Sequence, residues 1–341
     1  MKIIICSGGT GGHMFPACVL FKAMRQRGYD TSIITDVRGN AFCEDISEKI
    51  VLDTIRFSYK NLIKIGYYSA LAFVRFVKFW FKKRPDVIIG FGGIFTVIPL
   101  LVSKFLGSKV VIYEQNSVVG KANKFLKKLA NLRLASFDLD GSWTRVPAPV
   151  RSEFIKNVPY KCDGVIKILV IGGSQGAASF SKLIPQAIEV LSPEDRKNIE
   201  IVQQVGHESI DELSRIYKNF GVKATLKNFL HNVAEIMLDS QLVICRSGAS
   251  TLSELFATGR PAILIPYPSS SDNHQFHNAM YCKNKKAAWI LEEKDGISKQ
   301  LGKTLQQILQ NRELLKTASF HMMDSSVSNA TDNFMRLVEL I

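Results

Sequence analysis

A chain of 341 residues, 46% of them hydrophobic, carries enough apolar side chain for two packed domains, and its formal charge of +14 points to an anionic partner such as nucleic acid, a lipid headgroup surface or a phosphorylated substrate. The six cysteines, at positions 6, 18, 43, 162, 245 and 282, include no CxxC pair, which excludes a disulfide frame or zinc site and fits reduced thiols in a cytoplasmic protein. No signal peptide is read, because Ile3 to Cys6 runs directly into GGTGG, and no stretch reaches the roughly 18 to 20 apolar residues that a membrane span requires.

Short apolar runs alternate with amphipathic stretches along the chain, the pattern of parallel sheets in doubly wound α/β domains. Ile3 to Cys6 reads as the first strand and Gly8-Gly9-Thr10-Gly11-Gly12-His13 as a glycine-rich turn. A helix follows to about Arg27, with Pro16 in its first turn and Gly28 as its stop. Thr31 to Thr35 is a second strand, ending on Asp36. An acid there suits a dinucleotide site, but the third glycine of that fingerprint falls on Met14, which disfavours a nicotinamide-dependent oxidoreductase. The turn still requires backbone close to a ligand, phosphate or sugar.

Lys60 to Arg84 holds seven basic residues, no acidic one and many aromatics. An amphipathic core helix with a solvated basic face has this pattern. A helix lying on an anionic membrane surface has it too, and is the stronger reading. Arg75 and Lys78 interrupt the apolar run, and a charge at the membrane centre costs about 2.5 to 3.5 kcal/mol, so spanning is disfavoured. Each basic residue near an anionic surface gains about 1 kcal/mol, enough in sum for peripheral attachment. Nucleic acid competes for the same charge, yet no helix-turn-helix, zinc-finger or RNP signature accompanies it.

Asp86 to Gly90 is the next strand, followed by Phe91-Gly92-Gly93 and a helix through about Leu106. Lys109 to Tyr113 is another, with Glu114-Gln115-Asn116 at its carboxyl end, where open parallel sheets bind ligands. Leu132 to Ser136 reads as the last strand of the first half. Asp138 to Val150 has two prolines and no amphipathic period, and reads as the passage between domains. Asp138-x-Asp140 resembles a metal-diphosphate clamp but sits in that passage, not at a strand end.

The second half repeats the plan. Val165 to Ile171 is a strand, Gly172-Gly173-Ser174-Gln175-Gly176 a second glycine-rich turn, and Ala177 to about Leu191 a helix. Two such openings in one chain imply two Rossmann-like domains facing each other across a cleft, each offering a helix N-terminus to it. Ile199 to Gln204 and Ala224 to Leu226 are further strands, and Phe229-Leu230 lies at a turn. Leu242 to Cys245 delivers Arg246-Ser247-Gly248 into a helix for which Ser250 and Thr251 are natural N-caps, with Glu254 at capping-box spacing from Thr251. An arginine and free N–H groups at a helix start also suit a diphosphate, and a carboxylate one turn in suits a ribose diol. Arg246 either meets that phosphate or braces the turn. Pro261 to Pro266 is a strand, and 269–279 a polar turn into a helix whose Asp272, Asn273, His274, Gln275 and Asn278 supply sugar-type donors and acceptors. His274 and His277 lack the acidic partner a metal site would need. Amphipathic helices complete the chain.

Taken together, Gly8 to Pro16 (GGTGGHMFP), Glu114-Gln115-Asn116, Pro149-Val150-Arg151, Gly172 to Gly176 (GGSQG), Cys245 to Glu254 (CRSGASTLSE) and Asp272 to Ala279 resemble, in order, the motifs of the MurG family, the family-28 peptidoglycan N-acetylglucosaminyltransferases. The resemblance implies a GT-B glycosyltransferase. Residues 1–145 would form an acceptor and membrane-association domain, 146–164 a linker, and 165–324 the UDP-N-acetylglucosamine domain, with a helix at about 325–341 packing back on the first. It implies N-acetylglucosamine transfer from UDP-GlcNAc to the MurNAc sugar of lipid I, making lipid II. Glu254 would bind the ribose hydroxyls, and Ala249, Ser250, Thr251, Leu252 and Ser253 would face the diphosphate. Leu230 would read uracil through its backbone. Ser174 and Arg151 would reach phosphate, Gln275 and Asn116 the sugar, and Thr10, Gly11 and Gly12 would close over the donor. The implied place is the cytoplasmic face of the bacterial inner membrane, through the basic aromatic segment 60–84, beside other cell-wall synthesis proteins. Neither nucleic acid nor a tightly bound metal is expected. The chain departs from the family at Tyr113, where histidine is usual, at Ile94 and Thr96, and at Pro147-Ala148, all on the acceptor side.

An acceptor hydroxyl attacking the anomeric carbon needs a base, and departing diphosphate needs its growing charge met by helix N-termini and Arg151. His13 is the first candidate base, since its ordinary pKa lies near working pH, with Glu114 and Asp36 as alternatives. A different lipid acceptor such as diacylglycerol, or a non-catalytic nucleotide-sugar-binding protein, would share the donor motifs.

Overall fold

The protein is described here by a computed structural model covering residues 1–9, 11–52, 62–206 and 210–341, with backbone alone for 62–69 and 173–177. Its contacts divide it into two compact units, Met1–Arg151 with Ser326–Ile341, and Ser152–Ser325.

In the first unit the chain runs through β1 (Lys2–Cys6), α1 (Gly11–Gln26), β2 (Asp30–Asp36), α2 (Val37–Asn40), β3 (Lys49–Leu52) and α3 (Leu62–Lys83). It continues through β4 (Val87–Gly90), α4 (Val97–Phe105), β5 (Lys109–Glu114), α5 (Lys121–Leu126), β6 (Leu132–Ala135) and β7 (Thr144–Arg145). The second unit holds β8 (Ile166–Ile171), α6 (Gly173–Glu189), α7 (Pro193–Lys197), β9 (Ile199–Gln204), α8 (Ile210–Asn219) and β10 (Lys223–Lys227). Then come α9 (Val233–Asp239), β11 (Leu242–Cys245), α10 (Ala249–Thr258), β12 (Ala262–Leu264), α11 (His274–Asn284), β13 (Ala288–Ile290), α12 (Ile297–Gln310) and α13 (Glu313–Met322). The chain ends on α14 (Ala330–Glu339), which belongs to the first unit.

Each unit is the expected doubly wound parallel sheet. The orders are β3-β2-β1-β4-β5-β6-β7 and β10-β9-β8-β11-β12-β13, with every pair parallel. The order in which strands are added reverses between β1 and β4, and again between β8 and β11, while all strands stay parallel. Ligands of open α/β sheets sit at such switch points, beyond the carboxyl ends of the strands.

The alternation of side chains along β1 shows how the first sheet is buried on both faces. Ile3 and Ile5 pack with Met14, Ala17 and Leu20 of α1 and with Phe334, Met335 and Val338 of α14. Ile4 and Cys6 pack on the other face with Phe76 and Trp80 of α3, Leu100 of α4 and Leu126 of α5. In the second unit Ile166, Ile168 and Val170 of β8 pack with Phe180, Leu183 and Ile184 of α6 and Leu301 and Leu305 of α12. All six cysteines are buried and free. No helix among the described residues is long and apolar enough to cross a membrane.

Several elements differ from expectation. β3 and β13, four and three residues long, carry no readable alternation and are additions to the expected strands. β7 pairs with β6 inside 138–150, so that segment completes the first sheet and Leu132–Ala135 is not its last strand. Asp140 accepts the Ser142 hydroxyl and meets Lys127 at 3.0 Å, which together hold its carboxyl down at about 2, while Asp138 faces Arg145, so the pair is loop chemistry and not a clamp. Helices α1 and α6 begin at Gly11 and Gly173, inside the glycine-rich turns. Pro16 therefore lies beyond the first turn and gives no bond to the Gly12 carbonyl.

Both ends of the second unit are held at one corner, the carboxyl end of α10. The turn Ser152–Phe154, with Phe154 buried, lies against α9 and α10, and the Arg260 guanidinium stands 5.3 Å over the Tyr160 ring while donating to the Met237 and Leu238 carbonyls at the end of α9. From the other end, Met323 covers Gly259 (φ 62°), the Ser319 hydroxyl donates to the Gly259 carbonyl at 2.7 Å, and Asp324 N–H donates to the Phe256 carbonyl at 3.0 Å.

Candidate active site

In the first unit the turn after β1 is held by Asp36. Its Oδ1 accepts the Gly9 N–H at 2.9 Å and the Gly39 N–H at 2.8 Å, capping α2, while Arg38 meets Oδ2 at 3.1 Å. A Cβ on Gly8 would come within 3.2 Å of the Asp36 carboxyl carbon and 3.0 Å of the Phe95 ring, so any side chain there would have to push these two aside by a few tenths of an ångström. Gly11 and Gly12 form the first turn of α1, half-buried; a Cβ on Gly11 would fall 2.8 Å from Phe15 and 3.0 Å from Phe42. Thr10 lies outside the described residues.

His13, half-buried on α1, comes close to Gly92 beyond β4: a Cβ there would stand 3.8 Å from His13 Nε2 and 3.6 Å from Asn123 Nδ2. Gly92 and Gly93 have φ of 85° and 81°, a left-handed pair that only glycine adopts without strain. Glu114 is buried and fully used. Its Oε1 accepts the Asn116 N–H and Nδ2 at 3.1 and 3.2 Å, and its Oε2 accepts the Gly120 N–H at 2.9 Å and Asn123 Nδ2 at 2.8 Å. Glu114 thus organises the loop that carries Asn116. Asn123 was not among the expected residues, because it belongs to α5, whose two turns left no periodic mark. Tyr113, on the strand before it, is buried between Phe91 and Phe334 and donates to the Val146 carbonyl at 3.0 Å. Burial pushes its phenol well up, which makes it a packing residue. Arg151 is half-buried with its guanidinium 5.5 Å over the Phe15 ring.

On the opposite flank of this unit, α3 and α4 enclose an open groove of about 570 Å³ lined by Phe73, Val77, Phe81, Ile98, Leu101 and Phe105 among others, all apolar. Phe105 is 83% exposed and Phe81 54%. Arg75, Lys78, Lys82 and Lys104 lie on the same two helices, which carry no acid. Residues 60 and 61 of the basic segment lie outside the described ones.

In the second unit α10 starts at Ala249 with Gly248 as N-cap and no side-chain cap. Ser250 and Thr251 are not caps but lie in the first turn, so Glu254 does not complete a capping box. The first-turn N–H groups, which helix geometry leaves without intrahelical acceptors, thus point out of the switch point between β8 and β11. Ala249, Leu252 and Ser253 are buried, and the Ser253 hydroxyl donates to the Ala249 carbonyl at 3.0 Å; these three can offer backbone only. Ser250, Thr251 and Glu254 are half-buried. Ser174 stands in the first turn of α6, beside this strand end, with its side chain outside the described ones. Leu230 is buried in the loop after β10, where Phe229 next to it is 62% exposed and packs edge-on to His231 at 4.8 Å.

The segment 269–279 is tied to this turn. The Ser247 hydroxyl donates to the Gln275 carbonyl at 2.7 Å, and Gln275 Oε1 accepts the Tyr267 N–H at 2.9 Å. Asn278 is fully buried and donates to the Ser247 carbonyl at 3.1 Å, so it holds the turn and does not reach a sugar. Asp272 and Asn273 take φ of 51° and 52°, a strained pair in the left-handed region, and His274 Nδ1 is engaged 2.7 Å from the Ser271 carbonyl. Arg246 is spent on protein groups: Nη1 meets Glu293 Oε2 at 2.6 Å, and Nη2 donates to the Ser179 hydroxyl at 2.8 Å. It braces the turn. Among the described residues no group of three or more His, Cys, Asp or Glu is placed to hold a metal ion.

The sequence profile of the glycosyltransferase family 28 N-terminal domain matches residues 3–133, and that of the C-terminal domain matches 167–334. The chain is 32% identical over 345 residues to the UDP-N-acetylglucosamine–N-acetylmuramyl-(pentapeptide) pyrophosphoryl-undecaprenol N-acetylglucosamine transferase of Rickettsia felis, covering 94% of both chains. It is 38% identical to the protein of that name from Bartonella bacilliformis over 86% of this chain and 81% of the other. In fold it superposes on the crystal structure of Acinetobacter baumannii MurG with a TM-score of 0.85, at 24% identity, over 100% of this chain and 99% of that one.

Proposed function

The chain belongs to glycosyltransferase family 28, and from that premise we infer that it moves N-acetylglucosamine from UDP-GlcNAc to the MurNAc sugar of undecaprenyl-pyrophosphoryl-MurNAc-pentapeptide, converting lipid I to lipid II in peptidoglycan synthesis. The observation that carries this reading is one-third identity, end to end, with relatives named for that reaction.

The donor falls to the second unit. The first turn of α10 meets the diphosphate through its N–H groups, with Ser174 at the start of α6 and, by the family resemblance, Arg151 as further phosphate ligands. Glu254, one turn into α10, accepts the ribose hydroxyls. Leu230 offers backbone to uracil and Gln275 reads the sugar; by the family resemblance Asn116, Thr10, Gly11 and Gly12 are the first unit's candidates for donor contacts. In the reaction an acceptor hydroxyl attacks the anomeric carbon from the face opposite UDP, the C–O bond to UDP breaks, and the centre inverts. The hydroxyl proton passes to a base. Of the three candidates His13 is favoured, because Asp36 and Glu114 already accept backbone and amide N–H bonds that hold their loops. The departing UDP carries its charge away and needs no proton, only the donors around it.

The acceptor is a lipid, and the apolar groove of α3 and α4 with its basic surroundings supports attachment of the first unit to an anionic membrane face, the cytoplasmic face of the inner membrane being where UDP-GlcNAc is available. The test is incubation with labelled UDP-GlcNAc and lipid I in anionic vesicles. A labelled disaccharide lipid is expected; its absence, or transfer to diacylglycerol in its place, would sink the assignment. In the same assay Glu254→Ala should raise KM for donor sharply, since charge-assisted hydrogen bonds are worth about 1.5 to 3 kcal/mol each. His13→Ala should lower kcat far more than donor affinity.

A further inference from the structure

We propose that Arg246 is a positioning residue that decides which polar group the donor-sugar site presents, by fixing the backbone on which the side chain of Gln275 is oriented. The proposal rests on the donor-site reading above and extends it to sugar specificity.

Arg246 leaves β11 and enters the space between three neighbouring segments. Its guanidinium lies 4.8 Å from the Phe180 ring of α6 and 5.5 Å from the Tyr267 ring beyond β12. Nη1 is shared by Glu293 Oε2 at 2.6 Å and the Ile265 and Pro266 carbonyls at 3.2 and 3.4 Å. Nη2 reaches the Ser179 hydroxyl at 2.8 Å. Its side chain is 9% exposed and that of Glu293 28%. A buried ion pair adds little net stability over an apolar replacement, but it fixes geometry. What it fixes here is the Ile265–Tyr267 backbone. The Tyr267 N–H is the group that binds Gln275 Oε1 at 2.9 Å.

Accepting the Tyr267 N–H fixes which way round the Gln275 amide sits, with its oxygen towards that N–H and its nitrogen away from it. Gln275 Nε2 has no partner among the described residues, so the site offers the sugar a hydrogen-bond donor and selects an acceptor atom, a hydroxyl or acetamido oxygen. Lysine at 246 could still pair with Glu293. It could not stack between two rings and hold two carbonyls as well.

The experiment is calorimetric binding of UDP-GlcNAc and of UDP to the full chain and to Arg246→Lys, Gln275→Ala and the double variant. Arg246→Lys is expected to weaken UDP-GlcNAc about tenfold, the order of one lost hydrogen bond, with UDP nearly unchanged. The double variant should bind UDP-GlcNAc no worse than Gln275→Ala alone, since both changes remove one interaction. Additive losses, or UDP affinity falling in parallel, would overturn the positioning role. Should Arg246→Lys not fold, the pair Arg246→Met with Glu293→Leu removes both charges together and is measured in the same way; loss of fold there too would assign Arg246 to stability alone. Failure of the unaltered chain to bind UDP-GlcNAc would instead overturn the donor-site reading itself.

Discussion

Exchanging Glu114 for glutamine turns one carboxylate oxygen into a donor, and every neighbour of those oxygens is itself a donor. The variant should lose about 1 to 3 kcal/mol, the cost of leaving a buried N–H without its acceptor, and urea unfolding checks it. A neutral result would mean that the carboxylate is not the organiser of its loop. The position was legible in the sequence as a polar strand end. Its partners beyond Asn116 were not, because Gly120 caps and Asn123 belongs to a short helix with no periodic signal, and a carboxylate looks the same on paper whether it binds substrate or backbone. Buried thiols give a second expectation at this scale. Burial pushes Cys18 and Cys282 from an ordinary value near 9 up to about 12. The folded chain keeps protons there that the unfolded chain releases, so their contribution to stability is whole below about pH 9 and is lost as pH rises towards 12. The urea midpoint should fall across that interval, while iodoacetamide at pH 8 should leave the native thiols unmodified.

Helices and strands with full turns or long apolar runs could be read directly, and Leu242 to Cys245 was found at its observed bounds. The short edge strands β3, β7 and β13 could not, since an edge strand that short shows neither alternation nor a buried run. Glycine turns misled in the opposite sense. They turn helical from Gly11 and from Gly173, because the first turn has no upstream carbonyls to reach and tolerates residues that a helix interior would not. A helix can also complete an aromatic cluster from far along the chain. Phe334 of α14 lies parallel to Phe91 at 6.0 Å and tilted to Tyr113 at 5.2 Å, with no exposure. Phe334→Ala should cost about 3 to 5 kcal/mol by truncation of a filled core position, measured as a shift in the denaturation midpoint. A loss under 1 kcal/mol would mean that the cluster closes without it.

At the scale of the molecule, the charge of +14 is a matter of partners and not of fold. Binding to vesicles containing anionic lipid should fall steeply as salt is raised, because the attraction acts over a Debye length of about 8 Å at physiological ionic strength. Phe81→Asp, which puts a carboxylate into the apolar groove, should release the protein at low salt as well. Co-sedimentation measures both; salt-independent binding, or unchanged binding of the variant, would place the contact elsewhere.

The first unit is assembled from two separate stretches of chain, Met1–Arg151 and Ser326–Ile341, with the whole of the second unit between them. A ribosome therefore delivers the second unit complete before α14, which Phe91 and Tyr113 need to close their cluster, has emerged. The half of the protein made first is finished last. Until then its α1 face stays open to chaperones and proteases, and the second unit can fold while the first still waits for α14.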